Sequence, residues 1–128
     1  MKTKGFTLVE LLVVIAILAI LATVSVVGYT SFINDANNSV AMQELTQIRD
    51  YALSVDLTED GNMDGKVSKD EADVAIGAAN LGTGVWDTAT TPTVVKYTTK
   101  DGSGVAYWVI ATGEVTTKAP TGVTFPTA

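Results

Sequence analysis

Residues 6–27 read FTLVELLVVIAILAILATVSVV, an apolar run of 22 residues. Its polar side chains are those of Thr7, Glu10, Thr23 and Ser25. As a helix, the run is long enough to cross the roughly 30 Å hydrocarbon core of a bilayer. Lys2 and Lys4 precede it, which favours keeping the N-terminus on the cytoplasmic side. A secretory signal peptide has a shorter apolar region and a small-x-small cleavage site. The run therefore predicts a membrane-inserted helix.

The composition argues against several classes of function. The chain has 128 residues, so only about 100 remain for a globular part beyond the apolar run. It has no cysteine for disulfides or thiolate metal sites, and no histidine, the commonest general base. No serine stands in a nucleophile-elbow setting, so a membrane-tethered enzyme has little support. The net charge of −6 and the scattered basic residues argue against nucleic-acid binding.

Glu10 is the unusual residue of the apolar run. A carboxylate inside a membrane helix costs at least ~2 kcal/mol unless it finds a partner, so Glu10 is a candidate functional residue. The alternative is a glutamate that snorkels to the interface, because position 10 lies close to the start of the run.

The segment Lys4-Gly5-Phe6-Thr7-Leu8-Val9-Glu10 resembles the prepilin signature of type IV pilins and pseudopilins. The resemblance implies a leader peptide, residues 1–5, that a prepilin peptidase removes between Gly5 and Phe6. It also implies N-methylation of Phe6. In filaments of this family, the glutamate corresponding to Glu10 is thought to meet the N-terminal ammonium of a neighbouring subunit. Glu10 would then be an assembly residue in a homo-oligomeric helical filament, and its pairing would set the register.

The chain departs from the family in one respect. Many members have a glycine midway through the apolar segment and a proline near its end, where this chain has Ala19 and Val27. We therefore expect a straighter first helix, with Gly28 as its weak point.

The helix is predicted to continue beyond the membrane run. An apolar stripe at three- and four-residue spacing indicates an amphipathic helix packed on a head domain. Its residues are Ala41, Leu45, Ile48, Ala52 and Val55. One helix from about Phe6 to Val55 would be ~75 Å long. The expected parts are the leader 1–5, the membrane and assembly half 6–27, and the head 28–128.

The last third of the chain predicts a β-meander. Thr93–Thr99, Val105–Ala111 and Glu114–Thr117 are short runs of strand-forming residues separated by turn residues, with Val123–Phe125 as a candidate fourth strand. The Thr- and Gly-rich stretch from Gly82 to Thr93 predicts a loop. The expected class is α+β, a long helical spine on a small antiparallel sheet, which is also the head fold of type IV pilins.

Residues 60–71, DGNMDGKVSKDE, match the spacing of the twelve-residue EF-hand calcium loop. Gly65 falls where the loop turns sharply, and Val67 is the apolar residue that faces inward. The expected Ca²⁺ ligands are Asp60, Asn62, Asp64, the Lys66 carbonyl, Ser68 and Glu71. A frame starting at Asp56 fails because it puts Val67 where the closing acid belongs.

The alternative is a polar turn, since Asp-Gly pairs form turns without a metal. A turn does not require Glu71 at its distance, and three carboxylates this close would repel one another without a cation. Magnesium prefers a tighter octahedron, so calcium fits better. Ser68 to Ala79 is predicted to be a short exit helix. Because the loop has no paired second loop, a structural role is favoured over a calcium sensor.

Together these features predict a structural subunit of a type IV pilus. The precursor would be a single-pass membrane protein, and the cleaved subunit would join an extracellular surface filament. The alternative is a pseudopilin of a type II secretion or DNA-uptake apparatus, which shares the leader and the spine.

Overall fold

The computed structural model describes residues 5–59, 67–89 and 92–127, with the side chains of 55–59 left out. The helices are α1, Leu8–Glu59, and α2, Lys69–Ala79. The strands are β1, Gly82–Trp86; β2, Val94–Thr99; β3, Val105–Val109; and β4, Glu114–Thr116. The predicted α+β class is confirmed. The chain divides into two compact units, Met1–Ile33 and Asn34–Ala128, and α1 supplies residues to both.

The first unit contains the apolar part of α1. Between residues 8 and 27 its hydroxyl side chains are those of Thr23 and Ser25, and each bonds to a carbonyl of the preceding turn. Thr23 Oγ1 donates to the Ile20 carbonyl and Ser25 Oγ to the Leu21 carbonyl, each at 2.7 Å. This matters for a helix in lipid, where no water is present to satisfy a polar group. The part of the chain described includes this one helix that is long and apolar enough to cross a membrane.

In the second unit, α1 presents its predicted apolar stripe to the core. Ala41, Leu45, Ile48 and Ala52 are all buried, which confirms the stripe over these residues. The side chain of Val55 lies outside those described. The stripe belongs to a single core cluster shared with α2 and the sheet. The largest fully buried side chains are Trp108, Tyr97, Leu45 and Val95.

The sheet is an antiparallel meander in the order β1-β2-β3-β4. One row of paired residues crosses all four strands, so that Trp86 lies beside Val95, Val95 beside Trp108, and Trp108 beside Val115. The three strands predicted in the last third of the chain are confirmed, with ends within two residues. Alternating burial along β3 places Ala106 and Trp108 in the core, as a one-sided sheet requires.

The prediction of a loop from Gly82 to Thr93 is wrong for its first five residues, which form β1. The glycines that suggested a loop are needed because β1 lies very close to its neighbours. A Cβ on Gly82 would collide with the Thr98 carbonyl and the Tyr97 ring, and one on Gly84 would lie 2.9 Å from both Ile76 and Val95. Glycine in a strand often marks such a close approach.

The candidate fourth strand at Val123–Phe125 is also wrong, since these residues have no regular secondary structure. The segment is instead fastened at two points. Thr88 N–H donates to the Thr124 carbonyl at 2.9 Å, and the Phe125 ring contacts that of Tyr107 in a tilted arrangement with centroids 5.6 Å apart. These contacts hold the segment against the β1–β2 connection and β3.

Three polar contacts join α1 to different parts of the sheet. The Tyr97 hydroxyl donates to Glu44 at 2.9 Å, and Arg49 Nη1 donates to the Gly113 carbonyl at 2.9 Å. The Val105 N–H donates to the Asn38 side chain at 3.0 Å. Burial, then the Glu44 hydrogen bond, raises the pKa of Tyr97 well above its usual range. Tyr97 therefore stays protonated and donates to Glu44 at any physiological pH.

In the turn between β2 and β3, Asp101 is expected to make a contribution to stability that is lost in acid. The Asp101 carboxylate accepts from Thr99 Oγ1 at 2.7 Å and from Ser103 N–H at 3.0 Å, and these bonds lower its pKa from 3.8 to about 2. Because the folded pKa is lowered, the contribution is present above about pH 4 and is lost as the pH falls towards 2. We expect the melting temperatures of wild type and Asp101→Asn to converge over that interval. A difference in melting temperature that stays constant between pH 5 and pH 2 would show that the Asp101 carboxylate does not stabilise the fold through these bonds.

Candidate functional site

The N-terminal site is built around the start of α1. Gly5, Phe6 and Thr7 precede the helix without regular secondary structure, and all three are exposed. An exposed, non-helical junction is the kind of backbone that proteases cut. The junction at which the resemblance places cleavage therefore lies in an accessible segment. Phe6, the residue expected to be methylated, is 90% exposed.

Glu10 and Thr7 form a reciprocal pair of hydrogen bonds at the start of α1. The Thr7 N–H donates to Glu10 Oε2 at 3.2 Å, and the Glu10 N–H donates to Thr7 Oγ1 at 3.2 Å. This is the capping-box arrangement, in which a threonine and an acid three residues later satisfy each other's backbone donors. The sequence analysis did not predict this role for Glu10, although the Thr-x-x-Glu spacing before an apolar run is its signature.

The second site is the start of α2, where two of the six expected calcium ligands are described. Ser68 is the N-cap residue, and Glu71 N–H donates to its hydroxyl at 3.3 Å. In return, Ser68 N–H donates to Glu71 Oε2 at 2.6 Å. A second capping box thus brings these two side chains together at the end of the proposed loop. Glu10 and Glu71 are thus each the third residue of a capped helix.

The other expected ligands, Asp60, Asn62, Asp64 and Lys66, lie outside the described residues, as does Gly65. Val67, directly before the cap, is only 6% exposed and belongs to the core cluster. Its burial is what the calcium-loop hypothesis expects of the inward-facing position. Among residues 5–59, 67–89 and 92–127 there is no group of three or more side chains that could hold a metal ion.

A cluster of three side chains connects α2 to β1. Asp73 Oδ1 accepts from Trp86 Nε1 at 2.6 Å, and Asp73 Oδ2 accepts from Lys69 Nζ at 2.8 Å. Lys69 Nζ also lies 5.2 Å from the centre of the Trp86 ring, within cation–π range. The hydrogen bond to Asp73 is the main reason that the pKa of Lys69 is raised. The sequence analysis missed this cluster because Trp86 was expected in a loop.

Comparison with known proteins gives a match at the N-terminal part of the chain. The family model described as the prokaryotic N-terminal methylation motif matches residues 1–26. The match spans the Gly5–Phe6 junction, Glu10 and most of the apolar run. This motif marks type IV pilins and pseudopilins. No curated protein and no solved structure matches the chain.

Proposed function

We propose that the chain is a precursor of the type IV pilin or pseudopilin kind and that it serves as a structural subunit of a type IV pilus. The N-terminal methylation motif over residues 1–26 supports this proposal. In this proposal a prepilin peptidase removes residues 1–5, and the mature chain polymerises through α1 into a surface filament. The membrane holds the precursor before assembly. Loss of Lys2 and Lys4 with the leader changes the net charge from −6 to −8.

The observation that carries the proposal is the exposure of the first part of α1. Every residue from 5 to 36 is exposed, although most of them are large and apolar. A contiguous apolar surface of this extent is rare on a soluble monomer and marks a membrane or protein contact. Lipid covers it in the precursor, and neighbouring α1 helices would cover it in a filament. Glu10 then provides a charged group within the apolar run of residues 6–27.

The mature chain is expected to begin at Phe6, because Gly5 and Phe6 form an accessible junction inside the matched motif. N-terminal sequencing of the membrane-extracted protein, with mass analysis for one added methyl group, measures this directly. A mature product that retains Gly5, or that is cut near Ala22, would contradict the proposal.

The same sequencing, applied to sheared surface filaments, separates the pilus from the pseudopilin alternative. Filaments composed mainly of this chain, starting at Phe6, would identify a pilus subunit. A chain that is processed but found only in the cell envelope, with secretion or DNA uptake lost when it is deleted, would identify a pseudopilin.

We further propose that residues 60–71 bind one calcium ion that braces the connection between α1 and α2. Ser68 and Glu71 support this, because their capping box holds two oxygen ligands together before any ion arrives. The local charge also favours a cation, since residues 56–73 contain seven acidic and two basic residues. When bound, the ion would neutralise part of this charge. Asp60, Asn62, Asp64 and the Lys66 carbonyl would supply the remaining ligands.

Calcium is expected to raise the thermal stability of the detergent-solubilised chain. Binding to the folded state alone contributes about 2.7 kcal/mol at a hundredfold excess over Kd. Affinity for an isolated extracellular site is expected to be about 0.1–1 mM. The measurement is thermal unfolding in excess calcium and in excess chelator. If the wild-type midpoint is the same in both, the loop is only a turn.

Two substitutions of Glu71 separate the ligand from the cap. Glu71→Gln keeps a side chain that serves in a capping box but loses the bidentate carboxylate. It should retain the wild-type stability in chelator and lose most of the calcium response. Glu71→Ala loses both functions, so its stability in chelator should also fall, by about 0.5–2 kcal/mol. A calcium response of wild-type size in Glu71→Gln would exclude Glu71 as a ligand.

A further inference from the structure

The indole N–H of Trp108 is a buried hydrogen-bond donor without a partner. Trp108 lies in β3 and is fully buried, with 0% of its surface exposed. Among the residues that the structure describes, its Nε1 makes no hydrogen bond. Trp86 differs, since its Nε1 donates to Asp73 at 2.6 Å. Buried polar groups are nearly always hydrogen-bonded, so the Trp108 N–H needs an acceptor from outside the described chain.

Trp108 forms part of the wall of a cavity of about 280 Å³. The cavity lies where α1 meets the end of β3 and the turn that leads to β4. Apolar side chains form much of its wall, namely Leu53, Val67, Ile110 and Ala111. A water molecule occupies about 30 Å³ of liquid, so the cavity has room for a small organic molecule.

The other polar side chain that matters for the cavity is Arg49, which also lines it. A guanidinium has five N–H groups. Asp50 accepts from two of them and the Gly113 carbonyl from a third, which leaves two N–H groups free of described partners. No carboxylate is among the described residues that line the cavity. A ligand here must therefore accept hydrogen bonds and present an apolar surface to the rest of the wall.

We propose that this cavity binds a small carboxylate with a short hydrocarbon part. One carboxylate oxygen accepts from the Trp108 indole N–H, and the other accepts from the Arg49 guanidinium. The hydrocarbon part lies against Leu53 and Ile110. A carboxylate is favoured over a neutral acceptor because hydrogen bonds with ionised partners are roughly twice as strong as those between neutral groups. The site depends neither on the proposed filament nor on the proposed calcium ion.

The test titrates the ¹⁵N-labelled full chain, in detergent, with sodium isobutyrate. The chain has two tryptophans, so its ¹H–¹⁵N spectrum contains two indole signals, and a Trp86→Phe variant assigns them. The Trp108 signal should shift and saturate, with a dissociation constant on the order of 1 mM. The Trp86 signal should stay in place, and sodium chloride at the same concentration should move neither signal.

Two matched substitutions locate the bound acid. Trp108→Phe keeps an aromatic ring in the core and removes the N–H, whereas Trp86→Phe makes the same chemical change outside the cavity. Isobutyrate should raise the melting temperature of wild type and of Trp86→Phe. Its affinity for Trp108→Phe should be roughly tenfold or more lower, because a hydrogen bond to a charged group is lost. If Trp108→Phe does not fold, the wild-type titration still decides the question.

The neutral analogue isobutyramide tests the charge of the ligand, since it has the same hydrocarbon part. It should bind about tenfold or more weakly than isobutyrate. Equal binding of the two compounds would overturn the assignment of a carboxylate. A Trp108 signal that does not respond to isobutyrate, or that shifts without saturating, would overturn the site itself. Wild-type affinity in Trp108→Phe would do the same, because the indole N–H would then have no part in binding.

Discussion

Replacing Glu10 with alanine is expected to abolish filaments while the precursor is still inserted and cleaved. Removing one partner of a buried ion pair destabilises the contact by about 3–5 kcal/mol, because the other charge is left unpaired. Here the unpaired charge would be the N-terminal ammonium of the neighbouring subunit. A loss of this size at each subunit contact is roughly 10²–10⁴-fold in the association constant. The measurement is the yield of surface filaments in a strain that lacks other pilins, beside immunoblots of the processed chain.

Glu10→Gln is the control that separates charge from capping. Glutamine also serves in a capping box, so it keeps the reciprocal bonds with Thr7 but cannot pair with an ammonium as a carboxylate does. If charge pairing drives assembly, Glu10→Gln should fail as Glu10→Ala does. Normal filament yield from Glu10→Gln would mean that Glu10 acts by capping α1. Normal yield from both variants would remove Glu10 from assembly altogether.

The second large effect is expected at Gly104, where the β2–β3 connection meets α1. A Cβ on Gly104 would collide with the Asn37 carbonyl oxygen and lie 3.2 Å from the Ala41 side chain. Since the obstacle is helix backbone, it cannot rotate away as a side chain could. We expect Gly104→Ala to destabilise the second unit by about 3 kcal/mol, at the upper end for overpacking, measured by denaturant unfolding of the full chain in detergent.

Gly77→Ala is the matched control for that substitution. Gly77 lies within α2, is exposed, and would place its Cβ where nothing lies within 4 Å. Alanine there should stabilise the protein by up to about 1 kcal/mol through helix propensity. The same chemical change thus has opposite expected signs at the two positions. Equal effects of the two substitutions would contradict the tight approach of the β2–β3 connection to α1.

Periodic apolar residues made most of the fold predictable. The three- and four-residue spacing of the stripe that includes Leu45 and Ile48 identified the buried face of α1. Runs of strand-forming residues between turn residues identified β2, β3 and β4. Glycine misled the prediction at β1. Gly82 is there because Tyr97 occupies the space of its side chain, and that long-range contact leaves no local signal in the sequence.

For the candidate sites, the sequence analysis predicted only part of what Glu10 and Glu71 do. Glu10 and Glu71 stood out for their charge and spacing, yet each also closes a helix N-terminus through a partner three residues earlier. An acid three residues after a threonine or serine can thus cap a helix and, in the proposals above, also pair with a more distant charged group. The cluster of Lys69, Asp73 and Trp86 could not be predicted in the same way, because it joins a helix to a strand that the sequence did not indicate.

The order of the strands bears on how the protein is made. In a meander, each strand pairs with the one synthesised just before it, so the sheet can add strands in the order in which they are synthesised. Such short-range pairing also favours rapid folding. The bonds between Thr88 and Thr124 are the exception, since they tie a segment beyond β4 back to the start of the β1–β2 connection. These bonds can form only after Thr124 has been synthesised, so a chain truncated before this residue would keep its four paired strands but lose this last contact.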